Sequence, residues 1–414
     1  MAIRRVVNLG QMLGAPAAGP TGTGNPTRYE LGKCFQLDRD RCLLAASLDE
    51  QGGGDLCVGN DGFVVRSLAE IDPGKAIALN RPDPEFRGRA GTGFLAKYPL
   101  TGGFVPAGAK FADGGGHAGA GTGVLAGAAV AFAADKTSAE ADSEILIEVI
   151  GVRWDGSALT VTGRELMKHA LGYRLQGVAL SHFCPKGQDW LAPFVTDQGI
   201  VVFRLAFSDG GWRFASCGEP FVTHRRQDWF FSVGESEPSI QECDGTYVAT
   251  TRGADGKSRV YRSSDGLNYT LWFERNHPHV PQALNKGLDG SLYLATNPGV
   301  GWLRNPLAAF PLADGAFGEA IVVHDQDGIR DDKGEKVPFI DHGVGSNVYL
   351  EGRWRHLLWY RVCDLRERTF HRHQAAVAQQ FHGSGGPIAR RAESGLYVAE
   401  LEFDSVTAQP FRFE

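Results

Sequence analysis

Residues 238–251 read Pro-Ser-Ile-Gln-Glu-Cys, then Asp244-Gly245, then Thr-Tyr-Val-Ala-Thr-Thr. Apolar and polar side chains alternate on both sides of an Asp-Gly pair, the strongest short-range signal for two antiparallel strands joined by a tight turn. Similar units surround Asp289-Gly290 (280–296), Glu351-Gly352 (344–360) and Asp155-Gly156 (147–162), with less regular ones at 179–207 and 119–132. With 55 Gly and 20 Pro scattered among runs rich in Val, Phe, Tyr and Trp, the chain reads as many short strands and few helices.

Polar residues precede each hairpin: His117, His182, Glu235 with Glu237, His277 with His279, and Asp341 with His342. From His117 to His342 is 225 residues in four intervals, about 56 each, and the 414-residue length holds about seven such periods. A fixed period of this size marks a radial array. The expectation is one all-β domain spanning 1–414, a β-propeller of seven blades or alternatively six. The strand at 396–403 is expected to close the ring beside the N-terminal strands, because closure removes exposed edges.

Composition narrows the function. A net charge of -6 provides no broad basic field, which argues against nucleic acid as a partner. The Ala-rich run 119–134 is too short and glycine-rich to span a bilayer, so no membrane partner is expected. The first ten residues, Met-Ala-Ile-Arg-Arg-Val-Val-Asn-Leu-Gly, lack the apolar region of a signal peptide. The reading is a soluble monomer, cytoplasmic by default and periplasmic or secreted if a leader has been removed. Seven widely spaced cysteines (34, 42, 57, 184, 217, 243 and 363) without a Cys-x-x-Cys pair read as mostly buried thiols.

Residues 263–272, Ser-Ser-Asp-Gly-Leu-Asn-Tyr-Thr-Leu-Trp, resemble the Asp-box hairpin of sialidase-type propellers, with Gly266 directly after Asp265 and the Gly-x-Thr-Trp portion replaced. The likeness covers about one blade, and the remainder agrees by period alone. A Phe-Arg-Ile-Pro start and a second clear Asp-box are missing. Within the wider superfamily the chain looks more like the uronic-acid-glycan lyases (ulvan and rhamnosyl-glucuronate types) and the related rhamnosidases. That resemblance implies histidine, tyrosine and arginine chemistry on an acidic oligosaccharide or polysaccharide.

In a propeller the first strand of each blade starts on the face where the second strand ends. This groups the pre-hairpin residues with Arg252 and Arg361 around one mouth. A ring of imidazole, carboxylate and guanidinium suits β-elimination beside a uronate: arginine neutralises the carboxylate and stabilises the enolate, and a neutral histidine or a tyrosinate takes the C5 proton. His182 and His279 are the preferred bases, followed by His117 and His342, with Tyr360 or Tyr173 as the acid. Arg252, Arg361, His277, Glu235 and Asp341 are the expected substrate contacts.

The leading alternative is a glycoside hydrolase working through Glu235, Glu237 and Asp341. A second is a non-catalytic sugar-binding propeller. Each residue also has a plain structural reading: histidine as a turn's hydrogen-bond partner, Glu237 as a turn cap before Pro238, arginine as an inter-blade ion pair, and Trp190, Trp229, Trp302 and Trp359 as core. His371 and His373 with Arg366, Arg368 and Arg372 read as a solvated basic loop, or as a rim for an acidic glycan. No cofactor is required by this chemistry. The Asp325–Glu335 stretch reads as a surface hairpin or, alternatively, a structural calcium loop, and His182-x-Cys184 lacks the paired spacing of a zinc site.

Overall fold

Asp244 and Gly245 have φ of 50° and 76°, so both turn residues occupy the left-handed region demanded by the tight hairpin expected from an Asp-Gly pair. The strands on either side, Glu235–Cys243 and Thr246–Gly253, pair antiparallel with Cys243 opposite Thr246. Lys257–Ser263 and Thr270–Asn276 complete a four-stranded sheet. This sheet is one blade.

The computed structural model describes residues 3–14, 28–49, 59–80, 92–97, 100–112, 114, 119–133, 144–208, 211–221, 234–277, 280–299, 304–328, 338–364, 394–407 and 409–413. Among these, six blade sheets form. Their first strands are Arg28–Asp38, Thr101–Val105, Cys184–Lys186, Glu235–Cys243, Ala283–Lys286 and Pro338–Leu350, taken as blades one to six. The count is the smaller of the two expected. Dividing chain length by the repeat overestimates it, because the chain is not shared evenly among the blades: residues 365–393 fall in sequence between the second and third strands of blade six. The N-terminal strand, Ile3–Leu13, pairs with Gly395–Phe403 and supplies blade six's outermost strand, so the ring closes as expected.

Burial explains why the ring is complete. Each pair of neighbouring blades shares an apolar layer: Phe35, Leu43, Phe104 and Ile150 between blades one and two; Ile147, Leu175, Phe194 and Phe203 between two and three; and Leu191, Val202, Ile240 and Tyr261 between three and four. The layers continue through Val248, Val260, Leu284 and Leu292, then Tyr293, Leu307, Leu358 and Tyr360. The sixth, with Tyr29, Leu44, Val348 and Trp359, joins blade six to blade one. Every sheet therefore buries both faces, as strands that are apolar on both sides require.

Two sequence expectations need correction. The Asp155-Gly156 hairpin joins Glu144–Trp154 to Leu159–Met167, the outer strands of blade two, and is not an inner hairpin. Residues 119–132 are not a hairpin either, since Gly121–Ala133 is a single long strand. Alternation and a turn signal identify a hairpin but carry no information about its distance from the axis.

Candidate active site

Three first strands share a departure from regular pairing near their starts. The register slips between Glu30 and Gly32, between Ser236 and Ser239, and between Asp341 and Val344. Within each slip stands a non-glycine residue with positive φ: Leu31 at 51°, Glu237 at 50° and His342 at 56°. Bulges re-aim side chains, and non-glycine residues in the left-handed region concentrate at functional sites because the strain persists only where surrounding contacts enforce it.

The bulges bring a charged cluster together at one mouth of the axial channel. Asp341 is fully buried and accepts Arg361 Nε–H and Nη2–H at 2.9 and 2.8 Å, Arg304 Nη1–H at 2.7 Å and His342 Nδ1–H at 2.8 Å. Burial would raise its pKa, but the charges of Arg361, His342 and Arg304 outweigh burial and hold it well below the ordinary range. Arg361, also fully buried, reaches Glu30 at 3.5 Å. Beside them Arg252 Nη1–H donates to Glu237 Oε1 at 2.8 Å. Burial again pushes upward, but Arg252, His342 and Arg304 keep the Glu237 carboxyl below its usual value. The side chains of Glu237 and His342 keep 25% and 11% of their surface exposed, whereas Asp341 and Arg361 keep none. Glu237 is the most accessible member, followed by His342 and Arg252, which keeps 10%.

This arrangement gathers Glu237, Arg252, Asp341, His342 and Arg361, all expected at the mouth, and adds Arg304 and Glu30, which sequence reasoning missed. A signal for Glu30 was present: Glu30-Leu-Gly32 and Asp341-His-Gly343 both place a carboxylate two residues before a glycine. Both glycines sit in close packing: a Cβ at Gly32 would lie 2.7 Å from Leu396 Cδ2 and one at Gly343 would lie 3.0 Å from Ala295 Cβ. Arg304 lies in a stretch with no hairpin signal.

Other expected residues lie elsewhere. Glu235 is buried inside blade four, accepting Thr251 Oγ1–H at 2.6 Å and Tyr261 O–H at 2.8 Å. His277 is buried against Thr296 Oγ1 at 2.8 Å, and burial with nearby Arg275 and Arg252 pushes its pKa down to about 3. Tyr360 is fully buried between blades five and six with His324 and Tyr397. Tyr173 packs on Phe203, between blades two and three. His117, His279, Trp229, Trp302 and the basic loop 366–373 lie outside the described residues, as does most of the candidate calcium loop. Trp190 and Trp359 are buried. Among the described residues no three His, Cys, Asp or Glu side chains are placed to hold a metal ion. Six of the cysteines are described, all as thiols, with Cys34, Cys42, Cys184 and Cys363 buried.

His182 belongs to the opposite end of the channel. It lines a cavity of about 330 Å³ together with Gln36, Gln241, Glu242 and Asn347 from the hairpin ends of the first strands. Its Nε2 is 2.9 Å from Ser346 Oγ, four residues beyond His342, or about 13 Å of extended strand. Burial, then Lys33 and His356, lowers its pKa to about 3. In the 263–272 stretch, Asp265 Oδ1 accepts the Leu267 and Asn268 N–H groups at 2.8 Å each, closing the turn between blade four's outer strands.

No family model and no curated protein matches the chain. Solved structures do resemble it. Trypanosoma rangeli sialidase, in complex with 2,3-difluorosialic acid as a covalent intermediate, aligns with a TM-score of 0.52 at 10% identity; 97% of this chain is covered, which spans only 60% of that one. The NanB sialidase of Streptococcus pneumoniae aligns at 0.52 and 10% identity, covering 95% of this chain and 71% of that one. A protein of unknown function from Dyadobacter fermentans aligns at 0.53 and 14% identity, covering 96% and 99%. The shared property is the sialidase-like propeller fold. Nearer affinity to uronic-acid lyases or rhamnosidases rests on the sequence resemblance alone.

Proposed function

We propose that the chain is a glycan-cleaving hydrolase with Glu237 and His342 as its working pair. The carrying observation is the hydrogen bond from His342 Nδ1–H to the fully buried Asp341 carboxylate, made beside the partly exposed Glu237. Tying Nδ1 to a carboxylate leaves Nε2 as the atom that gives or takes a proton. Glu237, held as the anion, is suited to stabilise or attack an anomeric centre, and the imidazole to protonate the departing oxygen. Asp341 positions the ring. Solved sialidases of the same fold, one of them a covalent intermediate with 2,3-difluorosialic acid, agree with this reading.

Elimination beside a uronate requires a cation facing the substrate carboxylate. The cluster's three arginines already serve protein carboxylates: Arg252 serves Glu237, Arg304 serves Asp341, and Arg361 serves both Asp341 and Glu30. Hydrolysis is therefore favoured over the lyase chemistry suggested by residue types alone.

The test is incubation with a panel of neutral and uronic-acid glycans, following both reducing ends and the ultraviolet absorbance of an unsaturated uronate. Reducing ends without absorbance are expected. Glu237→Gln and His342→Gln should each lower the rate by about 10²–10⁴, the range of one acid–base group, with unchanged circular dichroism. Absorbance rising with the reducing ends would establish elimination instead, and turnover indifferent to both variants would remove the mouth from the chemistry.

A further inference from the structure

The opposite end of the channel is closed by the chain itself. Beyond blade six, Thr407 N–H donates to the Leu288 carbonyl at 2.6 Å at the hairpin end of blade five. Phe411–Phe413 then pairs with Ala109–Phe111, just after the first strand of blade two. Blades two and five stand opposite each other in a ring of six, so this strap crosses the axis. Thr407, Gln409, Pro410 and Phe411 floor the cavity of about 330 Å³ that contains His182. That volume falls within the range of about 300–1,000 Å³ typical of ligand pockets.

The lining has two characters. Phe111, Trp190 and Phe411 form an aromatic side, with Trp190 and Phe111 centroids 5.6 Å apart. Gln241, Ser346 and Asn347 provide a polar side. Trp190 is only 4% exposed and its indole nitrogen has almost no accessible surface, so the ring offers carbon to the cavity. The lining is also electrically balanced. Lys286 Nζ pairs with Glu242 Oε2 at 2.9 Å, and burial keeps His182 neutral and the Cys34 and Cys184 thiols protonated. Lys33, whose charge reaches His182, stands behind the lining with its ammonium on the Leu100 carbonyl at 3.0 Å.

We propose that this cavity is a second binding site, separate from the mouth, for an uncharged polyol of monosaccharide size. The apolar face of its ring lies on the aromatic side, and one of its hydroxyls bonds the Gln241 amide on the polar side. The proposal does not depend on what is cleaved at the mouth.

Isothermal titration of the full chain with D-galactose, D-glucose and L-rhamnose, with glycerol as a small-polyol control, tests it. At least one hexose should bind, and Glu237→Gln should leave that binding unchanged. Gln241→Leu should weaken it about tenfold, the loss of one hydrogen bond. Ala112→Trp, at the partly exposed rim, should abolish it by volume without disturbing the core. Absence of binding by all three sugars would overturn the proposal. So would binding indifferent to both cavity variants, or binding abolished by Glu237→Gln.

Discussion

The two ends of the axial channel are built from the same six first strands and differ in almost every physical respect. At the mouth the strands are bulged, three residues hold positive φ, and three arginines meet three carboxylates with little water. At the hairpin end blade one slips register between Gln36 and Asp38 and the turns hold Asp244 and Glu351 at positive φ, but the lining carries one ion pair and a strap covers the opening. Strain costs of order 1–3 kcal/mol per outlier, and buried ion pairs seldom repay their desolvation. A sheet twisted only for packing would keep neither. The contrast teaches that the propeller gathers its bulged strand starts and its fully buried charges at one end, the end to which the proposed chemistry is assigned.

The contrast breaks first if the mouth cluster can be dismantled cheaply. Arg361→Met leaves Asp341 and Glu30 buried with one cation fewer, and should destabilise the fold by about 3–5 kcal/mol in urea unfolding. A loss below about 1 kcal/mol would mean that the carboxylates find solvent, and the mouth would not be the tightly enclosed cluster described.

Acid should attack next. His182, His277 and His356 have pKa values lowered to about 3, chiefly by burial, against about 6.5 in the unfolded chain. At pH 7 the folded imidazoles are neutral and the unfolded ones largely so. As pH falls, the unfolded chain binds protons first, so stability declines from about pH 6 to about pH 3, by about 1.4 kcal/mol per pH unit for each such histidine. Asp341 and Glu237 act in the same direction at lower pH, because a lowered carboxylate pKa contributes stability that is lost on protonation. His356→Gln should flatten the slope by one histidine's share, since His356 sits buried between Tyr293 O–H at 2.6 Å and Asn347 Oδ1 at 2.5 Å. Stability unchanged between pH 7 and pH 4 would show that these imidazoles are hydrated.

How much of this was legible in the sequence follows from which interactions are local. Hairpins were, because Asp244-Gly245 and Glu351-Gly352 carry their turn geometry in two residues. The mouth was legible where it used strand starts, as for Glu237, Asp341 and His342. It was illegible where a bulge decided direction: Glu235 and Glu237 are two residues apart, the spacing that puts both on one face of a regular strand, yet the slip at Glu237 sends Glu235 into blade four. Arg304 precedes no hairpin and reaches Asp341 only through the ring's closure. His182 was grouped with His342 by period, but its distance along the axis depends on where blade three's short first strand begins, which no local signal marks.

The smallest expected effect makes the sharpest comparison. Lys286 and Glu242 form an ion pair at 2.9 Å, as short as many at the mouth, but their side chains keep 24% and 32% of their surface exposed. Water competes for both partners, so Lys286→Met should cost no more than about 1 kcal/mol. Arg361→Met and Lys286→Met each remove one cation from one end of the same channel, and the difference in their unfolding free energies isolates burial from distance. Equal losses would mean that pair geometry governs both ends. A several-fold larger loss at Arg361 would place the difference in desolvation, as the fully buried Asp341 and Glu30 require.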